Sequence, residues 1–261
     1  VDNSYYIFYR FHATGLWYKR AQEKDEVEFD DIFVNKFTKL FFQNLETLKK
    51  THGVPTNNII LGIDCSRSDN WRLPFYPKYK GTRKCNNDVG KMFSHFNSNI
   101  KQQMIDQGMH MLKHCSAEAD DVLAISKKYI RNKNPNAKII IITGDHDYLQ
   151  LIDDNTKIYT LKKKNNLLND KTEGSAELDL KLKILMGDKS DNINACFPKC
   201  GKVTALKLLK DPVKFKNKME NPKVKACYEL NRKIIDFNYI PKEIVDDVIM
   251  KIEKFNLELN N

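Results

Sequence analysis

These 261 residues lack most of the features that would fix a protein's class at a glance. No apolar run is long enough to cross a bilayer, and there is neither a CxxC pair nor a histidine-rich spacing of the zinc-site kind. The six cysteines, Cys65, Cys85, Cys115, Cys196, Cys200 and Cys227, are scattered, as expected for reduced thiols in an intracellular setting. Cys196 and Cys200 lie near one another without companion ligands. Arginine is scarce: seven residues, against 37 lysines, make up the 44 basic side chains. Acidic residues number 34, which leaves a net charge of +10 and points to a polyanionic partner, nucleic acid first. A lysine-rich solvated surface, or the composition of an AT-rich genome, accounts for the same count. No signal peptide and no internal repeat are visible. The chain opens at Val1 rather than Met, as it would if a leader had been removed.

What is present alternates. "NNIILGIDCS" is a β-like apolar run ending at Ile63, with Asp64 at its tip. "KIIIITGDHDYLQLI" carries the continuous β-branched run Ile139–Ile142, the pattern of a strand buried on both faces, and it too ends in acids. "FDDIFVNKFTKLFFQNLETLKKTHG" has helical spacing and a glycine stop at Gly53, and "AEADDVLAISKKYI" reads as a helix with acids in its first turn. Strands alternating with helices predict an α/β fold with a mostly parallel sheet, whose ligands bind beyond the carboxyl ends of the strands. The segment Lys80–Gln107 reads as a helical cap or a mobile loop, Tyr159–Asp179 as a loop, and Gly201 onward as helices broken at Pro212, Pro222 and Pro241.

The acids themselves are the strongest signal. Asp64, Glu118, Asp120, Asp121, Asp145 and Asp147 fall at strand ends or helix starts, and Asp2 in the opening stretch and Asp188 and Asp191 after an apolar run that stops at Gly187 complete the series. Singly, helix capping and turn formation explain each. Together, so much negative charge on one sheet edge calls for compensation, which divalent hard cations supply.

"VDNSYYIFYRFHA", "DCSRSDNWRLPFYPKYKGTR", "AEADDVLA", "TGDHDYLQLI", "MGDKSDNI" and "NRKIIDFNYIPKEI" occur in the order, and at intervals similar to those, of the 5′ nuclease superfamily, the flap endonucleases and the 5′→3′ exonuclease domains of bacterial DNA polymerases. The chain resembles that family over nearly its whole length. The resemblance implies a PIN-like α/β core over 1–180, a helical arch at about 81–107, and a C-terminal helix–turn–helix DNA-binding region over 181–261. It implies two Mg²⁺ ions, with Mn²⁺ as a substitute: Asp2, Asp64, Glu118 and Asp120 for the first, and Asp145, Asp147 and Asp191 for the second. Asp121 and Asp188 would act from just outside, through water. One ion would activate a water for attack on phosphorus and the other would steady the leaving 3′ oxygen. Lys80 and Arg83 would reach the scissile phosphate, Arg72 is a further phosphate candidate, and Tyr79 would stack on a base. Lys199, Gly201, Lys202, Thr204 and Lys207 would grip duplex DNA at the helix–turn–helix, where a K⁺ ion is also expected.

The same resemblance implies branched or 5′-flap DNA as substrate, a DNA polymerase or sliding clamp as partner, a monomer and no membrane; the compartment is an intracellular, DNA-containing one, with a nucleus, a plastid-like or mitochondrial organelle and a phage-infected cell all open. The sequence departs from the family pattern at "CGKVTA", which has one glycine, Gly201, and Val203 where lysine is expected. The stretch 159–179 is short, and only Val1 remains of a strand expected before Asp2. Two other readings stay open: a branched-DNA binder that has lost catalysis, and a PIN-type ribonuclease.

Overall fold

A computed structural model describes residues 1–83, 87–161, 173 and 175–259. Cys85 and most of the predicted 159–179 loop lie outside the described residues.

Asp2 caps the first helix, α1 (Asn3–Ala21), by accepting from the Tyr5 amide at 3.0 Å. The second helix, α2 (Asp31–His52), is capped by Asp30 and stopped by Gly53 in the left-handed conformation, where the sequence places its glycine. Its residues Phe33, Phe37, Phe41 and Leu45 recur every four positions and form one buried stripe. That stripe packs on Tyr6, Phe11 and Tyr18 of α1, with Tyr6 edge-on to Phe41.

Strand β1 (Ile60–Ile63) pairs in parallel with β2 (His110–Lys113), and β3 (Ile139–Ile142) pairs in parallel with β4 (Thr156–Tyr159). The two pairs meet through a two-residue stub. Asp2 bridges Gly62 in parallel, the Gly62 amide donates to the Val1 carbonyl, and the Asp2 amide donates to Ile142 O. The sheet is thus parallel, as expected, and Asp2 sits at its centre. Helix α5 (Ala119–Lys133) crosses β1 so closely that a side chain at Gly62 would strike Leu123 and the Ala119 carbonyl. Only the second half of the Ile139–Ile142 run is fully buried; Ile139 and Ile140 are half-buried at a cleft rather than covered on both faces.

The segment between β1 and β2 is helical: α3 (Asn87–His95), a wider π turn over Phe96–Ile100, then α4 (Lys101–Asp106). Phe96 is buried in the α1–α2 core, and Phe93 meets Phe8 edge-on, so these rings fasten the cap to the body. Helix α6 (Ala176–Met186) begins inside the stretch read as a loop, with Ser175 as its cap. After it come α7 (Lys202–Leu209), α8 (Pro212–Met219), α9 (Pro222–Ile235) and α10 (Lys242–Ile252). The prolines that read as breaks are starts: Pro212 and Pro222 occupy first turns, where a missing N–H costs nothing. α10 returns to the body, where Ile244, Val248 and Ile252 pack with Val122 and Ile125 of α5.

Candidate metal centre

The carboxyl ends of the strands converge on acids. β1 runs directly into Asp64, the stub delivers Asp2, and β3 leads through Thr143 and Gly144 to Asp145 and Asp147. Glu118 and Asp121 close a reciprocal cap at the start of α5, the Glu118 amide donating to Asp121 Oδ2 at 3.0 Å. Asp145 caps a short 3₁₀ turn (His146–Leu151), accepting from the Asp147 amide at 2.9 Å. Capping and clustering are therefore the same act here, because the positive ends of helices are what gather the carboxylates.

Gly187 ends α6 at φ +68°, and the chain doubles back through the paired backbone of Asp188 and Ile193. A side chain at Gly187 would lie 2.4 Å from Ile193 O, so the turn that presents Asp188 and Asp191 requires glycine.

Two carboxylate triplets result. Glu118, Asp120 and Asp121 bring ligand oxygens within 4.8 Å of one another, and so do Asp147, Asp188 and Asp191. The second triplet thus includes Asp188, which the sequence reading set further out. Asp145 lies instead in the neighbourhood of Asp2, whose carboxyl is pushed up to about 6 by burial first and by the charge of Asp64 next, with a smaller contribution from Asp145. Asp64 is tied into the same group, accepting from the Ala119 amide at 2.8 Å and from the Ser4 hydroxyl.

Basic groups lie among these acids. Arg72, expected at DNA, is 2% exposed and turned inward: its guanidinium donates to both oxygens of Asp121 at 2.8 and 2.7 Å, to Glu118 at 3.2 Å and to Ile234 O at 2.7 Å. No face of it is left for a phosphate. Tyr79, expected to stack on a base, is 4% exposed, and its hydroxyl donates to Glu118 at 2.7 Å and to Asp191 at 3.1 Å. Both residues orient carboxylates rather than meet solvent.

Lys80 adopts a left-handed backbone, φ +53°, with its amide on Asp191 O and its ammonium on Glu118. Arg83 donates to Asp191 Oδ1 at 2.6 Å and keeps 43% of its side chain exposed. The consequences for charge are opposite at neighbouring positions. Glu118 is desolvated by burial, yet Lys80 and Arg72 outweigh that and hold its carboxyl down at about 2. At Asp120 burial and the charges of Asp121 and Glu118 outweigh the pull of Arg72 and Lys80, and its carboxyl is raised well above the ordinary value.

Lys183, in the last turn of α6, was not singled out from the sequence. Its ammonium contacts Asp147 and lies 2.8 Å from Asp188 Oδ2. Burial tends to raise the Asp188 carboxyl, but Lys183 and Ser190 bring it down to about 2. The signal was a lysine one turn before the "GD" that ends a helix, which places it on the face that turns toward the acids.

Lys199, Gly201, Lys202, Thr204 and Lys207 all lie on the exposed side of the loop and helix after the second triplet. Lys202 is paired with Glu173, and Lys199 holds φ +57° at the turn. Cys196 and Cys200 are buried among Leu182, Leu185 and Ala205, where burial raises both thiols; they are packing residues.

A mostly apolar cleft, about 490 Å³, is bordered by Val1, Ile60, Ile139 and Leu257, and none of the acids of the two triplets lines it. Among the described residues no helix is long and apolar enough to cross a membrane.

The donor set fits hard divalent cations: every candidate ligand is a carboxylate oxygen, and Asp2 and Asp120 are buried carboxyls that a nearby cation would stabilise in their charged forms. The Tyr148 hydroxyl, buried and without a hydrogen-bond partner among the described residues, lies in the field of Asp2, Asp120 and Asp64.

Comparison with known proteins bears on this geometry. Residues 1–178 match the family described as 5′–3′ exonuclease, N-terminal resolvase-like domain. DNA polymerase I of Lactococcus lactis is 28% identical over 229 residues, 85% of this chain and 25% of that protein. The chain therefore spans about a quarter of the polymerase relatives it matches. The 5′-3′ exonuclease of Buchnera aphidicola is 30% identical over 64% of this chain and 57% of its own length, and Ribonuclease H of phage T4 is 28% identical over 80% and 74%. Among solved structures, the T5 D15 protein co-crystallised with metal ions shares the fold with a TM-score of 0.65 at 17% identity, covering 85% of this chain and 93% of that one. A complex of bacteriophage T5 D15 flap endonuclease with DNA and metal ions gives 0.62 at 15%, over 84% and 92%.

Proposed function

Because the chain belongs to the 5′–3′ exonuclease family, whose N-terminal resolvase-like domain it carries over residues 1–178, we propose that it is a metal-dependent, structure-specific 5′ nuclease. It hydrolyses DNA phosphodiester bonds at 5′ flaps and 5′ ends, works with two Mg²⁺ ions or with Mn²⁺ in their place, and serves replication and repair. The observation that carries the reading is the pair of carboxylate triplets at one sheet edge.

Glu118, Asp120 and Asp121, with Asp2 and Asp64 alongside, would hold one ion, and Asp147, Asp188 and Asp191 the other. Ions bound there would supply an activated water and stabilise charge at the leaving oxygen. The protein's own groups set the geometry. Tyr79 and Arg72 fix Glu118, and Arg72 fixes Asp121, so the first triplet cannot spread under its own repulsion. Arg83, half exposed, pairs with Asp191, and Lys80, largely enclosed, pairs with Glu118 and lies 3.8 Å from Asp191; both would exchange a carboxylate for a substrate phosphate, Arg83 as a fork and Lys80 as a point charge. The exposed amides at the start of α7, with Lys199, Lys202, Thr204 and Lys207, would bind duplex phosphates, and a K⁺ ion at the 199–204 turn belongs to the same reading.

The test is cleavage of a 5′-labelled double-flap DNA with Mg²⁺ and with chelator. Products with 5′ phosphate and 3′ hydroxyl are expected, with loss of cleavage in Asp147→Asn and Asp120→Asn. Tight flap binding without turnover in Mg²⁺ would indicate the inactive binder instead.

A second substrate is favoured by one observation, the phage T4 relative named Ribonuclease H. The same centre would cut an RNA 5′ strand annealed to DNA. Parallel assays on RNA- and DNA-strand flaps separate the two.

A further inference from the structure

We propose that Lys183 is a tethered counter-ion of the second carboxylate triplet, and that metal enters this triplet by exchange with its ammonium. The inference rests on the nuclease reading above and concerns how the site loads.

Three carboxylates converge, Asp147, Asp188 and Asp191, and each oxygen pair is met differently. Asp188 Oδ1 is already taken by the Ser190 amide and hydroxyl, both at 2.7 Å. That leaves Oδ2 as the oxygen free to face an ion, and Lys183 holds it at 2.8 Å. The same ammonium contacts Asp147 Oδ1. Asp191 is held from the other side, by Arg83 at 2.6 Å and by Tyr79 at 3.1 Å. Lys183 therefore touches the two carboxylates that have no other cation partner among the described residues, and lies between them, where a metal ion would also be drawn.

The contrast with the first triplet supports exchange rather than permanent pairing. There, Arg72 is enclosed, with donors on Asp121, Glu118 and Ile234 O at once, and cannot withdraw without unfolding its surroundings. Lys183 is a single point charge on a flexible four-carbon stem, 19% exposed, with these two carboxylates as its ion-pair partners among the described residues. A divalent ion brings twice the charge and satisfies all three carboxylates. Once displaced, the ammonium stays within a side chain's length of the same acids, where the phosphate of a substrate would arrive.

The test is Mn²⁺ binding by the DNA-free 261-residue chain, with free Mn²⁺ read by its electron paramagnetic resonance signal. The parent should show a tighter and a weaker class of site. Lys183→Met should tighten the weaker class about tenfold or more, the equivalent of about 1.4 kcal/mol, and Lys183→Arg should leave it at the parent's value. The metal-free Lys183→Met protein should melt lower than the parent and recover more on adding Mn²⁺. An unchanged or loosened weaker class in Lys183→Met overturns the proposal. Should that variant misfold, Lys183→Gln, equally neutral but polar, is read in the same way. Asp147→Asn should abolish the weaker class. If the parent binds no Mn²⁺, or Asp147→Asn keeps both classes, the assignment of the metal centre fails as well, a result no Lys183 variant alone produces.

Discussion

Arg72 and Asp121 meet fork on fork inside the protein, at 2.8 and 2.7 Å, with the guanidinium 2% exposed and the carboxylate wholly buried. Neither group touches solvent, so the pair fixes the start of α5 and with it Glu118 and Asp120. Arg72→Met leaves Asp121 charged, buried and unpaired. We expect a loss of about 3–5 kcal/mol in unfolding free energy, read as the shift in urea midpoint. A shift below about 1 kcal/mol would mean that the pair carries little of the local structure.

The Asp2 carboxyl sits at about 6 in the folded protein against an ordinary 3.8, because burial and Asp64 oppose its charge. Ionising it in the metal-free chain therefore costs stability, a penalty that is complete above pH 6 and fades as pH falls toward 3.8. The shift corresponds to about 3 kcal/mol at most. Asp2→Asn, which keeps a capping side chain, should raise the melting temperature at pH 7.5 and gain progressively less as pH is lowered to 4.5. A gain independent of pH would contradict the electrostatic account.

Glu118 and Asp188 titrate the other way. Both are held at about 2 by neighbouring cations, so their contribution is intact above pH 4.5 and is lost only as pH falls toward 2. In Lys80→Met, acid unfolding should begin at higher pH than in the parent, because Glu118 loses its largest stabilising partner. Coincident acid-unfolding curves by circular dichroism would rule this out.

Lys80 and Arg83 are expected to matter to turnover more than to folding. Lys80→Ala and Arg83→Ala should each lower the single-turnover flap cleavage rate by about 100-fold, the scale seen when one preorganised charge donor is removed. Arg83→Ala should leave the melting temperature within about 2 °C, since its side chain is half exposed. Wild-type rates in both variants would remove these residues from the phosphate site.

Gly187→Ala places a methyl 2.4 Å from Ile193 O at a φ of +68°. The turn carrying Asp188 and Asp191 must shift, and a cost of about 1–3 kcal/mol is expected together with weaker Mn²⁺ binding. Normal stability and normal metal affinity together would show that the turn tolerates a side chain.

Much of the fold was legible without coordinates. The four-residue spacing of Phe33, Phe37, Phe41 and Leu45 and the stop at Gly53 fix α2, and the isoleucine run fixes β3, because period and β-branching are local properties of the chain. The order of acid motifs indicates that carboxylates gather at one edge, since a parallel sheet sends every strand end the same way. Strands β2 and β4 carry no such signal: "HMLK" and "TKIY" are four-residue segments whose β character comes from the neighbour each pairs with. Which acids share an oxygen cage, and which basic side chains serve them, was decided only by the tertiary structure. Arg72 looks like a surface cation in sequence and becomes a buried strut because Asp121, 49 positions away, turns to meet it. Lys183 looks like one of 37 lysines. The end of α6 places its ammonium between Asp147 and Asp188, and charge at that distance follows from how the chain packs rather than from what precedes or follows each residue.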